Sequence, residues 1–240
     1  MDQYIGWFLD PARLSGPDAI PTRLLEHVEI SAAAVLAALL IGLPIGLWIG
    51  HTGRAAGAAI NVANIGRAIP SYALMGMILP LSLSFSPEYG LWHIPILVAM
   101  TALAIPPILV NTYAGLREVD RDLVEGARGM GLTERQILLQ VEVPLAIPVI
   151  VGGIRTASLQ VIATATIGAI FGGPGLGRYI FDGLLNQDAP RTAGGAILVA
   201  ALAVAVDLIL GLGQRQLTPR ALRSTTRREP PEVSPALAGS

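Results

Sequence analysis

Lysine and cysteine are both absent from this chain of 240 residues. All sixteen basic residues are arginine, so no Walker-type phosphate loop can be built, because that loop needs a lysine to reach the nucleotide phosphates. Without cysteine there are no disulfides, thiolate nucleophiles or thiolate metal ligands. Charge is scarce too: 14% of residues are charged, against about 25% in an ordinary globular protein. A net charge of −1 leaves no concentrated basic surface for nucleic acid. His27, His51 and His93 are scattered with no ligand spacing, which gives no metal site. No catalytic constellation stands out, and the chain reads as a non-enzyme.

What is abundant is apolar residues, at 52%, arranged in long runs divided by short polar stretches. Runs of about 18 or more apolar residues can cross a hydrocarbon core of about 30 Å as helix. Hydropathy predicts an all-α membrane protein with five transmembrane helices, at 24–50, 57–83, 91–115, 144–171 and 192–213. Pro70 in the second, and Pro106 and Pro107 in the third, are expected to kink or locally break their helices. Ten loop arginines (Arg54, Arg117, Arg121, Arg128, Arg135, Arg215, Arg220, Arg223, Arg227 and Arg228) fall on one side and four (Arg13, Arg23, Arg178 and Arg191) on the other. The positive-inside rule then puts the N-terminus outside and the C-terminus in the cytoplasm.

Residues 1–23 lack the basic start and apolar run of a cleavable signal and read as a mature extracytoplasmic segment. Residues 24–213 form the membrane domain, and 214–240 a cytoplasmic tail, disordered from Thr225 by its Pro, Ser and charge content. Trp7, Trp92 and Trp48 fit interfacial anchors. Small residues at 31–34, 152–153 and 194–195 suit close helix packing. The glycine-dense stretch 172–177 follows an apolar span rather than a strand, so it reads as a surface turn and not a nucleotide loop.

The longest cytoplasmic loop, 116–143, reads as two short helices. Asp120 caps the first, whose apolar Leu123, Val124 and Ala127 form one stripe. Gly129 and Gly131 stop it, and Thr133 with Gln136 makes a capping box for the second, which leads toward Pro144. The apolar stripe requires cover, either from a docked partner or from the chain's own bundle.

Within that loop, Glu125, Gly126, Ala127, three residues, Gly131, nine residues, then Val141, Glu142, Val143 and Pro144 resemble the signature loop of ABC importer permeases: Glu-Ala-Ala, x3, Gly, x9, Ile-x-Leu-Pro. Spacing agrees throughout, and the departures are Gly126 for alanine, Val141 for isoleucine and Val143 for leucine. The resemblance implies that the loop forms coupling helices seated on an ABC ATPase subunit, with ATP bound there and not on this chain. It further implies a second permease subunit, identical or a close paralogue, and an extracytoplasmic solute-binding protein. It extends over 24–213 and includes Arg67-Ala-Ile-Pro70. The stretches 117–120, 152–157, 161–166 and 175–180 look most like permeases for glycine betaine, choline and related osmoprotectants. Amino-acid permeases share the signature loop and stay open as an alternative. A secondary transporter or channel lacks support, because neither an inverted repeat nor a relay of intramembrane acids is present.

Arg67, Arg155 and Asp207 are charges that fall inside the second, fourth and fifth spans. Arg155 and Asp207 lie at overlapping depths, about 10–18 Å and about 9 Å from the cytoplasmic ends of their spans at 1.5 Å per residue. Unpaired charge there is costly, so the two are expected to pair or to line a wet cavity, with snorkelling of Arg155 as the alternative. Tyr72 and Tyr113 are candidates to face a path, against the simpler reading of packed tyrosines.

Overall fold

The computed structural model describes residues 2–217 and, within them, every side chain but those at positions 62, 64, 67, 68, 87 and 88. The Arg67 side chain and the tail from Thr225 lie outside the described residues. In chain order the helices are α1 (Asp2–Leu9), α2 (Ile20–Thr52), α3 (Ala56–Ala68), α4 (Ser71–Phe85), α5 (Pro87–Gly90), α6 (His93–Arg117), α7 (Arg121–Gly129), α8 (Glu134–Ile137), α9 (Val143–Ala165), α10 (Gly177–Leu185) and α11 (Ala189–Leu217). A π turn, Leu138–Glu142, joins α8 to α9, and a 3₁₀ turn, Ile167–Phe171, follows α9. Among the described residues there is no strand.

Among the described residues, four helical stretches are long and apolar enough to cross a membrane: Ile20–Thr52, His93–Arg117, Glu134–Phe171 and Ala189–Leu217. The predicted second span is not one of them. It is divided into α3, 13 residues long, and α4, 15 residues long, or about 20 and 22 Å of helix. The break is chemical. The Pro70 ring disfavours the helical conformation at Ile69, which takes φ −79° and ψ 120°, and Pro70 itself is extended at ψ 126°. Pro106 and Pro107 behave differently: α6 runs through both without interruption. Both are buried, and neighbouring helices hold the turn that has lost two donors.

The core lies where α2, α6 and α9 meet. Ala34, Ala38, Ala99, Ala104, Ala157 and Ala165 are buried there with Met75, Ile96, Met100, Ile108 and Val161. Small residues dominate because apolar lipid provides no hydrophobic drive between helices, and close backbone approach supplies the attraction instead. On α2 this reaches its limit at Gly42, Gly46 and Gly50, spaced four apart so that they share one face. A methyl at Gly46 would lie 2.7 Å from Thr112 Cβ and 2.9 Å from the Leu109 carbonyl, and one at Gly50 would lie 2.9 Å from Leu116 Cβ. At Gly42 the nearest atom is 3.3 Å away. We expect Gly46→Ala to cost about 1–3 kcal/mol through overpacking. Gly42→Ala should come out near neutral, its milder contact offset by about 1 kcal/mol of helix propensity. Thermal unfolding of the two variants in detergent measures the difference, and equal midpoints would remove the close seam.

At the opposite end of the bundle, α1 packs on α10 and α11. Trp7 is buried against the Tyr179 ring, 5.2 Å away and edge-on, in a space open because Gly194 has no side chain. The glycine-dense stretch does form a turn. Gly172 and Gly175 take φ +83° and +97°, and the Gly175 N–H donates to Glu26 on α2 at 2.9 Å.

Candidate functional site

The connection between α6 and α9 is ordered by its own caps. Asp120 accepts from the Asp122 N–H at 2.9 Å to start α7. Thr133 and Gln136 complete a reciprocal capping box at the start of α8. Between them the chain turns through a Schellman motif, in which the Leu132 N–H donates to Ala127 O at 3.2 Å and the Gly131 N–H to Arg128 O at 3.0 Å. Gly131 occupies the left-handed position, φ +88°, while Gly129 is the last residue of α7. The interval from Ala127 to Gly131 is therefore the distance from the third-last helical residue to the residue that reverses the chain.

The apolar stripe of α7 divides. Ala127 is buried and Val124 half-buried against the chain itself, whereas Leu123 is 54% exposed and Met130 77%. Glu125 and Gly126 are exposed as well, and a methyl at Gly126 would meet nothing within 4 Å, so the alanine of the signature would fit here. Val141 is half-buried in the π turn and Val143 opens α9. Pro144 has no N–H for a normal helical bond. The π turn just before it, closed by Val143 N–H to Leu138 O, keeps the helix continuous across that defect.

Sequence reasoning set His51 aside, yet the structure brings it to the centre of this loop. From the last turn of α2 its Nδ1 lies 2.5 Å from Glu142 Oε2, and its Nε2 lies 3.4 Å from Glu134 Oε2. Glu134 is in turn held in a two-pronged contact by Arg128, at 2.8 and 3.0 Å. That guanidinium keeps the Glu134 carboxyl below the ordinary carboxylate range, chiefly by hydrogen bonding. Glu142 itself is only 8% exposed. His51 and Glu142 are separated by 91 positions, and neither has a motif to announce it.

Arg155 and Asp207 are brought together. Arg155 Nε and Nη2 reach Asp207 Oδ1 at 3.0 and 2.7 Å, and Nη2 reaches Oδ2 at 2.9 Å. Its remaining nitrogen donates to Gln214 Oε1 at 3.0 Å, and Gln214 donates to Pro148 O at 2.7 Å. Gln214, missed in the sequence, joins the pair into one α9–α11 link. Tyr72 is exposed with its ring 5.3 Å from Phe171, and Tyr113 is half-buried on α6.

Membrane-length helices around a small-residue core, with a capped helical hairpin at one end, define a multi-pass membrane protein. Residues 42–223 match the family of binding-protein-dependent transport system inner membrane components. The choline transport system permease protein OpuBB of Bacillus subtilis is 37% identical over 198 residues, 82% of this chain and 88% of that one. The osmoprotectant import permease protein OsmW of Salmonella typhimurium is 35% identical, covering 82% and 91%. Among solved structures, a chain of the inward-facing MetNI methionine ABC transporter superposes with a TM-score of 0.73 at 22% identity, over 81% of this chain and 94% of that one; this likeness is one of fold. The chain belongs to the family of binding-protein-dependent transport system inner membrane components.

Proposed function

We propose that this chain is the membrane-spanning subunit of an ATP-driven importer for small osmoprotectants such as glycine betaine, choline, carnitine or proline betaine. The observation that carries this reading is 37% identity to a choline permease over 82% of this chain and 88% of that one. ATP is hydrolysed on a separate ABC ATPase subunit, which suits a chain that has no lysine for a phosphate loop. A second permease subunit and an extracytoplasmic solute-binding protein complete the assembly.

In this reading α3 and α4 together make one crossing. The chain then crosses five times, with its N-terminus outside and the arginine-rich loop 116–143 in the cytoplasm. The ATPase seats on the exposed side chains of α7 and its cap, Leu123, Glu125 and Met130, which the chain's own bundle leaves uncovered. Glu125→Lys should then abolish uptake without loss of inserted protein, because an exposed side chain carries little of the fold's stability. Uptake at the wild-type rate would remove α7 from the docking site.

Reconstitution with the ATPase and the solute-binding protein tests the whole reading. ATP-dependent accumulation of radiolabelled choline or glycine betaine is expected. Tight binding of only a primary amino acid by the associated binding protein would replace the substrate class, and uptake independent of ATP would replace the mechanism.

A further inference from the structure

His51 is the point at which the loop is attached to α2. Three features make the attachment stiff. α2 ends immediately afterwards, with Gly53 at φ +67° and its N–H bonded to Ile49 O at 2.9 Å, so His51 sits on the last turn of a long helix and not on a loop. The same end of α2 is pressed against α6 through Gly46 and Gly50. And the carboxylate it meets, Glu142, lies buried in the π turn, where it cannot follow solvent.

A carboxylate only accepts, so the imidazole donates from Nδ1 to Glu142. Its Nε2 faces Glu134, which Arg128 holds from α7. One ring thereby touches α8 and the π turn directly, and α7 through Arg128. Beside it lies a half-open cleft of about 200 Å³ lined by His51, Arg128, Leu116, Val124, Glu125 and Glu142, so α7 is only partly packed on the bundle. Displacement of α7 and α8 therefore reaches α2 through the polar chain Arg128–Glu134–His51–Glu142 as well as through the apolar cluster that Leu138 shares with Leu116 and Leu47.

We propose that His51 is a positioning residue that transmits movement of the loop to the α2–α6 pair, and so sets how much solute is moved per ATP hydrolysed. The proposal rests on the reading that this loop seats the ATPase. It is tested on the full reconstituted complex by measuring ATP hydrolysis and choline or glycine betaine uptake in the same vesicles, for wild type, His51→Ala, Glu142→Gln and His51→Asn. Asparagine places an amide N–H close to where Nδ1–H stands.

The expected result is a loss of solute moved per ATP of about tenfold or more in His51→Ala, with ATPase retention and hydrolysis within about twofold of wild type. Glu142→Gln should lower the ratio as well, and His51→Asn should restore most of it. A group that only fills space would not be replaced by the smaller asparagine. A wild-type ratio in His51→Ala overturns the proposal, as does a loss that asparagine leaves unrepaired. If the wild-type chain fails to retain an ATPase at all, the reading of the loop falls and takes this proposal with it. A complex that assembles and couples normally despite His51→Ala removes the proposal alone.

Discussion

Gly131→Val abolishes ATP-dependent uptake while the protein remains inserted at its normal level. Gly131 closes the Schellman turn at φ +88°, a region that costs an L-residue about 1–2 kcal/mol and a β-branched one more. Space is not the obstacle, since a side chain there would meet nothing within 4 Å. Valine therefore acts on the backbone. To escape the left-handed region the chain must open the bonds from Gly131 and Leu132 to Arg128 and Ala127, which turns α7 away from α8 and separates Arg128 from Glu134. A penalty of about 2 kcal/mol corresponds to a roughly 30-fold fall in the population holding the native turn. Asparagine, which tolerates the left-handed region, should retain much of the activity. Uptake in vesicles, normalised to inserted protein, ranks glycine above asparagine above valine; if valine and asparagine perform alike, backbone conformation is not what the position requires.

The second large effect concerns the α9–α11 link. Arg155→Met leaves Asp207 without its guanidinium, and Asp207→Leu leaves Arg155 with only Gln214. Each side chain is about one-third exposed in the isolated chain (32% and 34%), and in a bilayer part of that exposure faces hydrocarbon. Removing one partner of such a pair costs about 3 kcal/mol, because a charge is stranded where water cannot fully reach it. The double variant Arg155→Met/Asp207→Leu should be more stable than either single one, since no lone charge survives. Unfolding midpoints in detergent of matched composition measure this, and a double variant at the simple sum of the singles would show that the groups act independently. The exchange Arg155→Asp/Asp207→Arg should recover only part of the loss, because Gln214, fixed to Pro148 O, is placed for an arginine on α9.

What could be read from the sequence and what could not differ in range. Asp120, Thr133, Gln136 and Gly131 specify their turns through bonds to residues at most five positions away, so spacing alone placed the hairpin. The Arg155–Asp207 contact was accessible for another reason: depth along two helices is countable, and charges at equal depth have few other partners. The break in the second span was legible at Pro70; that it leaves two helices below membrane length was not. Hydropathy sums residues without asking what conformation each can adopt, and Pro70 with the residue before it decides the matter locally. Pro106 and Pro107 show the converse, since the same residue type inside packed neighbours leaves its helix whole. His51 with Glu142, and Trp7 with Tyr179, unite residues far apart in the chain by tertiary packing that no local pattern encodes. The same holds for Gly42, Gly46 and Gly50, whose spacing is visible but whose partner helix is not.

The bare contact between α2 and α6 also limits how the chain can change shape. Two helices separated by ordinary side chains can shear, because rotamers on each surface adjust as one passes the other. At Gly46 and Gly50 there are no rotamers to adjust on one side, and the other side meets backbone directly at the Leu109 carbonyl. Displacement along the axis would set bulkier α2 residues against Thr112 and Leu116 and force the helices apart. The pair consequently has one set of rigid-body freedoms, not two. Within the chain, internal freedom remains at the break on either side of Pro70, while α2 and α6 can move only together.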